Sequence, residues 1–277
     1  MKLLAGAAVG VAAHSFVRLR SPPLPVQGAA PELRFADRRN GYVFVDKRFY
    51  ATHDGGTSWR RIQLGDVLSV ATGAGNAFVT SNRGLETSAV SADRWRVHLL
   101  GFGAFDVAAL GQNVWVLGAD KSHDKLARSN DGGRTFTTGG GPCSPDLGGR
   151  LAPASAHVVW AVCQTGMLAG VWKSADGGRS FTQASPPRCC ANSAKIVAPS
   201  EKTAVLAPAP GRGLLRTSDA GATWRPASTP SGRIDLLYSV SFGDARVGYV
   251  LLQLSGYTQA LWKTTDAGAT WRAVPIR

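Results

Sequence analysis

The chain has 277 residues, 44% of them hydrophobic, which is enough for one large buried core. Its 31 lysines and arginines outnumber 18 acidic residues, and the resulting formal net charge of +13 suggests a polyanionic partner such as nucleic acid. Many basic residues, however, recur at equivalent positions of a sequence repeat. On the outer strands of a repeated fold, charge prevents sheet edges from pairing, so this distribution disfavours nucleic acid.

The first segment predicts export. Met1 and Lys2 precede an apolar run from Leu3 to Ala13, which at 11 residues is too short to span a bilayer. Small residues at Val11 and Ala13 fit the −3 and −1 positions of a signal-peptidase site. We therefore predict a signal peptide at 1–13, with an uncleaved anchor or a misassigned start as alternatives, and an extracytoplasmic protein (secreted, periplasmic or cell-surface). Residues 14–30, rich in proline, predict a linker.

Five octets share one pattern: hydroxyl, any residue, Asp, a small residue, Gly, any residue, hydroxyl, aromatic. The residues after Asp favour the positive φ of a tight hairpin, and the short Asp side chain can accept hydrogen bonds from its own turn. A degenerate sixth copy has Ser88 and Trp95 but Val90 in place of Asp. The structural residues predicted from the five full octets are Asp54, Trp59, Asp131, Phe136, Asp176, Phe181, Asp219, Trp224, Asp266 and Trp271.

The third positions of the six copies are 36, 41, 45, 43 and 47 residues apart. A period of this size indicates a supersecondary unit that buries its faces by stacking on its neighbours. Each unit contains strand-like segments A, B and C, then the octet turn, then strand D, which is the blade of a β-propeller. We therefore predict an all-β, six-bladed β-propeller at 31–277, with seven blades less favoured. Its blades are expected at about 31–63, 64–98, 99–141, 142–184, 185–228 and 229–277.

In such up-and-down blades, the A–B turns and the octets share one face, and the B–C and D–A loops share the other. Cys143 and Cys163 are expected to meet on the B–C/D–A face, which predicts a disulfide between them. For Cys189 and Cys190, a vicinal disulfide, two free thiols and exchanged pairing are all open. Adjacent cysteines without a nearby His do not suggest a metal site, and no cofactor is predicted.

The octets resemble the bacterial neuraminidase repeat, or Asp-box, of sialidase-like propellers, and the resemblance covers nearly the whole chain. In those enzymes the octets lie away from the active site, so the resemblance implies a functional site on the B–C/D–A face. Glycoside hydrolysis normally needs paired carboxylates, or a Tyr nucleophile paired with a Glu. This chain has only three glutamates (Glu32, Glu86 and Glu201) and lacks the early Arg-Ile-Pro motif of sialidases.

We therefore predict a ligand- or protein-binding scaffold module without catalytic residues. The alternative is a glycoside hydrolase (a sialidase-like exo-glycosidase) or a lyase with an unrecognised site. The chain also resembles the photosystem II assembly factors, which are propellers with the same repeats that hold a partner protein.

Loops of the B–C/D–A face supply the candidate binding residues. They are Arg48, Asp120, His123, Asp124, Arg212, Arg233 and Asp235, with Arg83, Arg188 and Tyr257 nearby on the same face. The loop at 120–125 has an ordinary alternative as an exposed polar loop. Asp106, Arg150 and Lys195 are predicted near the starts of innermost strands. Because cations outnumber acids here, we expect a protein partner or an anionic small molecule or glycan, bound by a monomer with no membrane span.

Overall fold

The fold is all-β, as predicted. A computed structural model describes residues 32–45, 48–145, 147–184, 190–191, 194–209, 211–230, 232–256 and 258–274. Within these ranges the chain forms 25 strands and no helix, so no helix there could span a membrane. The strands build the six four-stranded antiparallel sheets of a six-bladed β-propeller. The predicted signal peptide and linker lie outside the described residues.

The first three sheets are each built from four consecutive strands. The first contains β1 (Glu32–Phe35), β2 (Gly41–Val45), β3 (Arg48–Thr52) and β4 (Arg60–Ile62). The second contains β5 (Val67–Gly73), β6 (Asn76–Ser81), β7 (Gly84–Ala89) and β8 (Arg96–His98). The third contains β9 (Gly103–Leu110), β10 (Asn113–Ala119), β11 (Asp124–Ser129) and β12 (Thr137–Gly140).

The last three sheets follow the same order, with one addition. The fourth contains β13 (Gly149–Pro153), β14 (Val159–Gln164), β15 (Leu168–Ser174) and β16 (Thr182–Gln183). A short β17 (Cys190–Ala191) also pairs with β15, so this sheet continues past residue 184. The fifth contains β18 (Lys195–Val197), β19 (Ala204–Ala207), β20 (Leu215–Thr217) and β21 (Arg225–Pro226). The sixth contains β22 (Ile234–Phe242), β23 (Gly248–Leu254), β24 (Thr258–Thr264) and β25 (Arg272–Val274).

Burial explains the order of residue types along each unit. Second strands such as β10 and β14 are buried along nearly their whole length, which suits an unbroken apolar run bounded by turns. Fourth strands such as β21 and β25 are mostly exposed, and each begins with an arginine. Charged side chains there keep the outer edge of each sheet from pairing with another chain.

The octet and the A–B turn lie at the same end of each sheet. In the first sheet, Gly55 N–H donates to the Arg39 carbonyl at 2.8 Å, and in the fourth, Gly177 N–H donates to the His157 carbonyl at 2.7 Å. The sixth sheet repeats this bond between Ala267 and a carbonyl of its A–B turn. The predicted placement of these turns on one face is therefore seen within each sheet.

The chain divides into two compact units, residues up to 120 with 125–138, and residues 121–124 with 139 onward. In both, an octet aromatic packs on the second strand of the preceding sheet. In the first unit, Trp95 of the degenerate copy meets Tyr42 edge-on, with ring centroids 6.0 Å apart. In the second unit, Trp224 meets the buried Trp160 in the same way at 5.9 Å. The octets therefore contribute aromatic packing between sheets as well as turns.

Candidate functional site

The octet aspartates are held by their own turns. In the octet of the fourth sheet, the Ser174 hydroxyl donates to Asp176 Oδ1 at 2.7 Å. Ser180 donates its backbone N–H to the same oxygen at 2.9 Å and its hydroxyl to Oδ2 at 2.6 Å. The same three bonds recur at Asp54, Asp131, Asp219 and Asp266. Their role is to close the hairpin.

These hydrogen bonds stabilise the charged form of each carboxylate. The Thr223 hydroxyl and N–H lower the pKa of Asp219 to about 2. The corresponding serine and threonine donors lower the pKa values of Asp54 and Asp131 further below their ordinary range. A carboxylate held ionised in this way is a poor general acid, which agrees with the structural role.

The degenerate copy uses its carboxylate differently. Asp93, in a left-handed conformation with φ 48°, reaches back to the first sheet. Its Oδ2 contacts His53 Nε2 at 2.9 Å and the Arg60 guanidinium, and its side chain is 3% exposed. The other ring nitrogen of His53 lies 2.7 Å from Asn40 Oδ1. This link between two sheets was not predicted from the sequence. The sequence signal for it is Asp93 itself, which stands three residues after Val90, the residue at the usual octet Asp position.

Two of the three glutamates are tied to neighbouring groups. Glu86 on β7 is 1% exposed and accepts the Ser81 hydroxyl at 2.7 Å. Glu32 on β1 binds Arg34 at 2.6 Å. Glu201 is exposed in an A–B turn, at the octet end of the fifth sheet.

The loop at 120–125 holds its own structure together. Asp120 pairs with Lys125 at 3.1 Å. Asp124 Oδ2 accepts the backbone N–H of Cys143 at 2.6 Å, and His123 is exposed. Of these predicted ligand contacts, Asp124 therefore serves as an anchor for the segment that carries the disulfide.

The predicted disulfide between Cys143 and Cys163 is present. Both sulfurs are buried at the B–C/D–A end of the fourth sheet, where Gln164 N–H also donates to the Gly148 carbonyl at 3.0 Å. Cys190 is disulfide-bonded as well. Cys189 lies outside the described residues.

A second group of predicted residues does converge, at the B–C/D–A end of the fifth and sixth sheets. Arg233 Nε lies 3.3 Å from Asp235 Oδ1, which also accepts the Ser255 hydroxyl at 3.3 Å. Gly211, with φ +75°, brings the preceding loop so close that a Cβ there would lie 3.1 Å from Arg233 Nε. Arg212 follows in that loop and is exposed, and the Arg233 side chain is 71% exposed. We call Arg212, Arg233 and Asp235 the arginine corner.

The other predicted residues are dispersed. Arg48 is exposed at the start of β3, in the first compact unit. Asp106 on β9 is buried and accepts the Ser69 hydroxyl of β5 at 2.8 Å. Lys195 on β18 donates to the Tyr238 carbonyl of β22 at 2.9 Å. Asp106 and Lys195 thus join the first strands of adjacent sheets. Arg150 is exposed on β13. Arg188 and Tyr257 lie outside the described residues.

The fold is similar to several solved propellers. YCF48 bound to a D1 peptide gives a TM-score of 0.62 at 15% identity, with 94% of this chain and 88% of that chain covered. YCF48 from Cyanidioschyzon merolae gives 0.62 at 16% identity, covering 91% and 87%. PorZ, a surface component of the type-IX secretion system of Porphyromonas gingivalis, gives 0.59 at 11% identity, covering 89% of this chain and 32% of that one. No family model or curated protein matches the sequence. At these identities the likeness shows a shared β-propeller fold.

Proposed function

We propose that this protein is an exported propeller of the Asp-box type that binds an acidic segment of a partner protein on its B–C/D–A face. The observation that carries the proposal is which charged side chains in those loops are exposed and which are paired within the chain. At the arginine corner, Arg212 and Arg233 are exposed, whereas Asp235 contacts Arg233 and Ser255 of its own chain. A surface whose exposed charge is cationic favours an anionic partner.

The arginine corner suits a carboxylate-bearing ligand. Guanidinium groups bind carboxylates through two parallel hydrogen bonds, which gives orientation as well as affinity. Asp235 holds Arg233 from one side and keeps it in place for a ligand on the other. The YCF48 structure that contains a D1 peptide supports the idea that this fold can present a peptide-binding surface.

Export is supported independently by the disulfide. Cys143 and Cys163 are buried in the oxidised form, and structural disulfides persist mainly in oxidising compartments. Together with the apolar leader at 3–13, this favours an extracytoplasmic location.

A hydrolytic function has less support. Glycoside hydrolysis normally uses two carboxyl groups that flank the scissile bond. The five octet aspartates, Glu32 and Glu86 instead bind donors of their own turns and strands. These seven carboxylates thus favour a structural use over catalysis.

Charge reversal tests the proposal. A short labelled peptide rich in glutamate, and its glutamine counterpart, are titrated with the parent protein and with Arg212→Glu, while binding is followed by fluorescence anisotropy. We expect the glutamate peptide to bind more tightly, and Arg212→Glu to weaken it by about tenfold or more, because replacing attraction by repulsion costs at least about 1.4 kcal/mol.

Arg225→Glu is the matched control, since Arg225 is also exposed but lies on the outer strand β21. Equal binding of both peptides, or equal loss in both variants, would refute the proposed surface. Turnover of fluorogenic glycosides that disappears in Asp235→Asn would establish the hydrolase alternative instead.

A further inference from the structure

A second charged surface lies at the octet end of the first two sheets and on their outer strands. We call it the arginine flank: Arg38, Arg39, Arg60, Arg61, Arg94 and Arg96, all of which are exposed. Edge protection of β4 and β8 accounts for arginines on those strands, but Arg38 and Arg39 lie in a turn. The concentration of guanidinium groups therefore needs another explanation.

Contacts hold these segments together. Gly55 N–H donates to the Arg39 carbonyl at 2.8 Å, which fixes the A–B turn against the first octet. His53 in that octet contacts Asp93 of the second sheet at 2.9 Å, and Arg60 of β4 binds the same carboxylate. Asp93 is thus the point at which the A–B turn, β4 and the segment carrying Arg94 meet.

The three acidic side chains of this region are engaged inside it. Asp37 accepts the N–H groups of Arg39 and Asn40 at 2.8 and 2.9 Å. Asp54 closes its octet, and the Asp93 side chain is 3% exposed. Asp37 and Asp54 are themselves exposed and stay ionised, so six arginines against three carboxylates leave this region with a formal net charge of +3.

The composition of the flank indicates the chemistry of its partner. All six cations are arginines, whose planar donors match phosphate oxygens in pairs; Arg60 is engaged by Asp93, so the arginines offered to a ligand are the remaining ones. Along the outer strand of the second sheet, running from Arg96 away from the octet end, two apolar side chains are exposed, Val97 (37% exposed) and Leu99 (90% exposed) just after the strand. Cationic groups beside exposed apolar ones are typical of a surface that lies in a membrane interface.

A nucleic acid fits this surface less well. Stacking on unpaired bases requires exposed aromatic faces. The aromatic residue in the middle of the flank, Trp95, is packed edge-on against Phe49 and Tyr42, with ring centroids 5.4 and 6.0 Å away. Leu99 would also have no apolar counterpart on a phosphodiester backbone.

We propose that the arginine flank docks the protein on an anionic membrane surface, with its guanidinium groups on lipid phosphates and Leu99 in the interface. This surface shares no residue with the arginine corner. The two surfaces can therefore be altered by separate substitutions.

Vesicle co-sedimentation of the full chain tests this proposal. Arg38→Glu/Arg94→Glu/Arg96→Glu is compared with Arg225→Glu/Arg246→Glu/Arg272→Glu, which makes the same charge change at exposed positions in an A–B turn and on outer strands of the second compact unit. Each basic residue near an anionic surface contributes about 1 kcal/mol. We therefore expect the flank variant to bind phosphatidylglycerol-containing vesicles about a hundredfold more weakly, and the control variant much less so.

Leu99→Ser should also reduce binding, without changing the salt dependence that the arginines cause. Because Leu99 is almost fully exposed, this change leaves the fold intact, as far-UV circular dichroism would verify. The leader at 1–13 is present in every variant and cancels in the comparison. Equal loss in flank and control variants, or binding unaffected by the flank variant, would overturn the proposal, as would tighter binding to duplex DNA than to vesicles.

Discussion

The hydroxyl at the first octet position is predicted to be a main source of stability in each turn, and Thr264→Val tests this. Thr264 is 1% exposed, donates to Asp266 Oδ1 at 2.8 Å and accepts Gly268 N–H at 2.9 Å. Valine has nearly the same shape but no hydroxyl, so the change leaves Gly268 N–H buried without an acceptor.

An unsatisfied buried N–H costs about 1–3 kcal/mol, and the lost hydroxyl-to-carboxylate bond adds about 1 kcal/mol. Because a domain of this size loses roughly 2–4 °C in Tm per kcal/mol, the total cost of about 2–4 kcal/mol should lower Tm by roughly 4–16 °C. The assay is thermal unfolding followed by circular dichroism, together with urea unfolding. The neighbouring Thr265→Val, at an exposed position, is the control. A Thr264→Val protein that melts with the control would refute the idea that this hydroxyl supports the turn.

Three further predictions concern stability. Gly133→Ala should lower the free energy of unfolding by about 2–5 kcal/mol, because φ is +84° and the new Cβ would lie 2.5 Å from a buried ring on β6. Gly75→Ala, where φ is +74° but the space around the new Cβ is open, should cost only about 1 kcal/mol. Equal urea midpoints for the two variants would contradict this reasoning. Replacing Cys143 and Cys163 together by alanine should lower the free energy of unfolding by about 3 kcal/mol, because the bond closes a separation of 20 residues; an unchanged urea midpoint would count against it. Finally, because hydrogen bonds lower the pKa of Asp219 to about 2, its contribution is complete above about pH 4 and is lost as the pH falls towards 2. Urea midpoints that stay constant between pH 5 and pH 2.5 would exclude a role for the octet carboxylates.

The fold could be predicted because its determinants are local and repeated. An octet specifies a hairpin through turn chemistry within eight residues, and the bonds around Asp176 lie within that span. The spacing of 36–47 residues between copies then specifies one four-stranded sheet as the unit that stacks on its neighbours. The disulfide was predictable for the same reason, since Cys143 and Cys163 follow from the up-and-down order of one sheet.

The candidate site was less predictable because side-chain partners depend on contacts between distant segments. Asp124 and Asp120 have the same residue type in the same loop, yet one anchors the Cys143 backbone and the other pairs with Lys125. Similarly, Asp106 was expected near the start of an innermost strand but is buried against Ser69 of the preceding sheet. No local pattern distinguishes a carboxylate that faces solvent from one that joins two sheets.

The positions at which the repeat is broken are the places where this chain differs from a generic propeller. A full octet uses its carboxylate for its own turn, and the result is the same in five sheets. In the degenerate copy, Val90 removes that use, and Asp93 joins two sheets through His53 and Arg60. The arginine flank surrounds this irregular copy, whereas the arginine corner depends on a close approach at Gly211. Because the octet carboxylates are already committed to folding, selection for binding can act on the loops and outer strands at little cost to stability, and both proposed surfaces lie there.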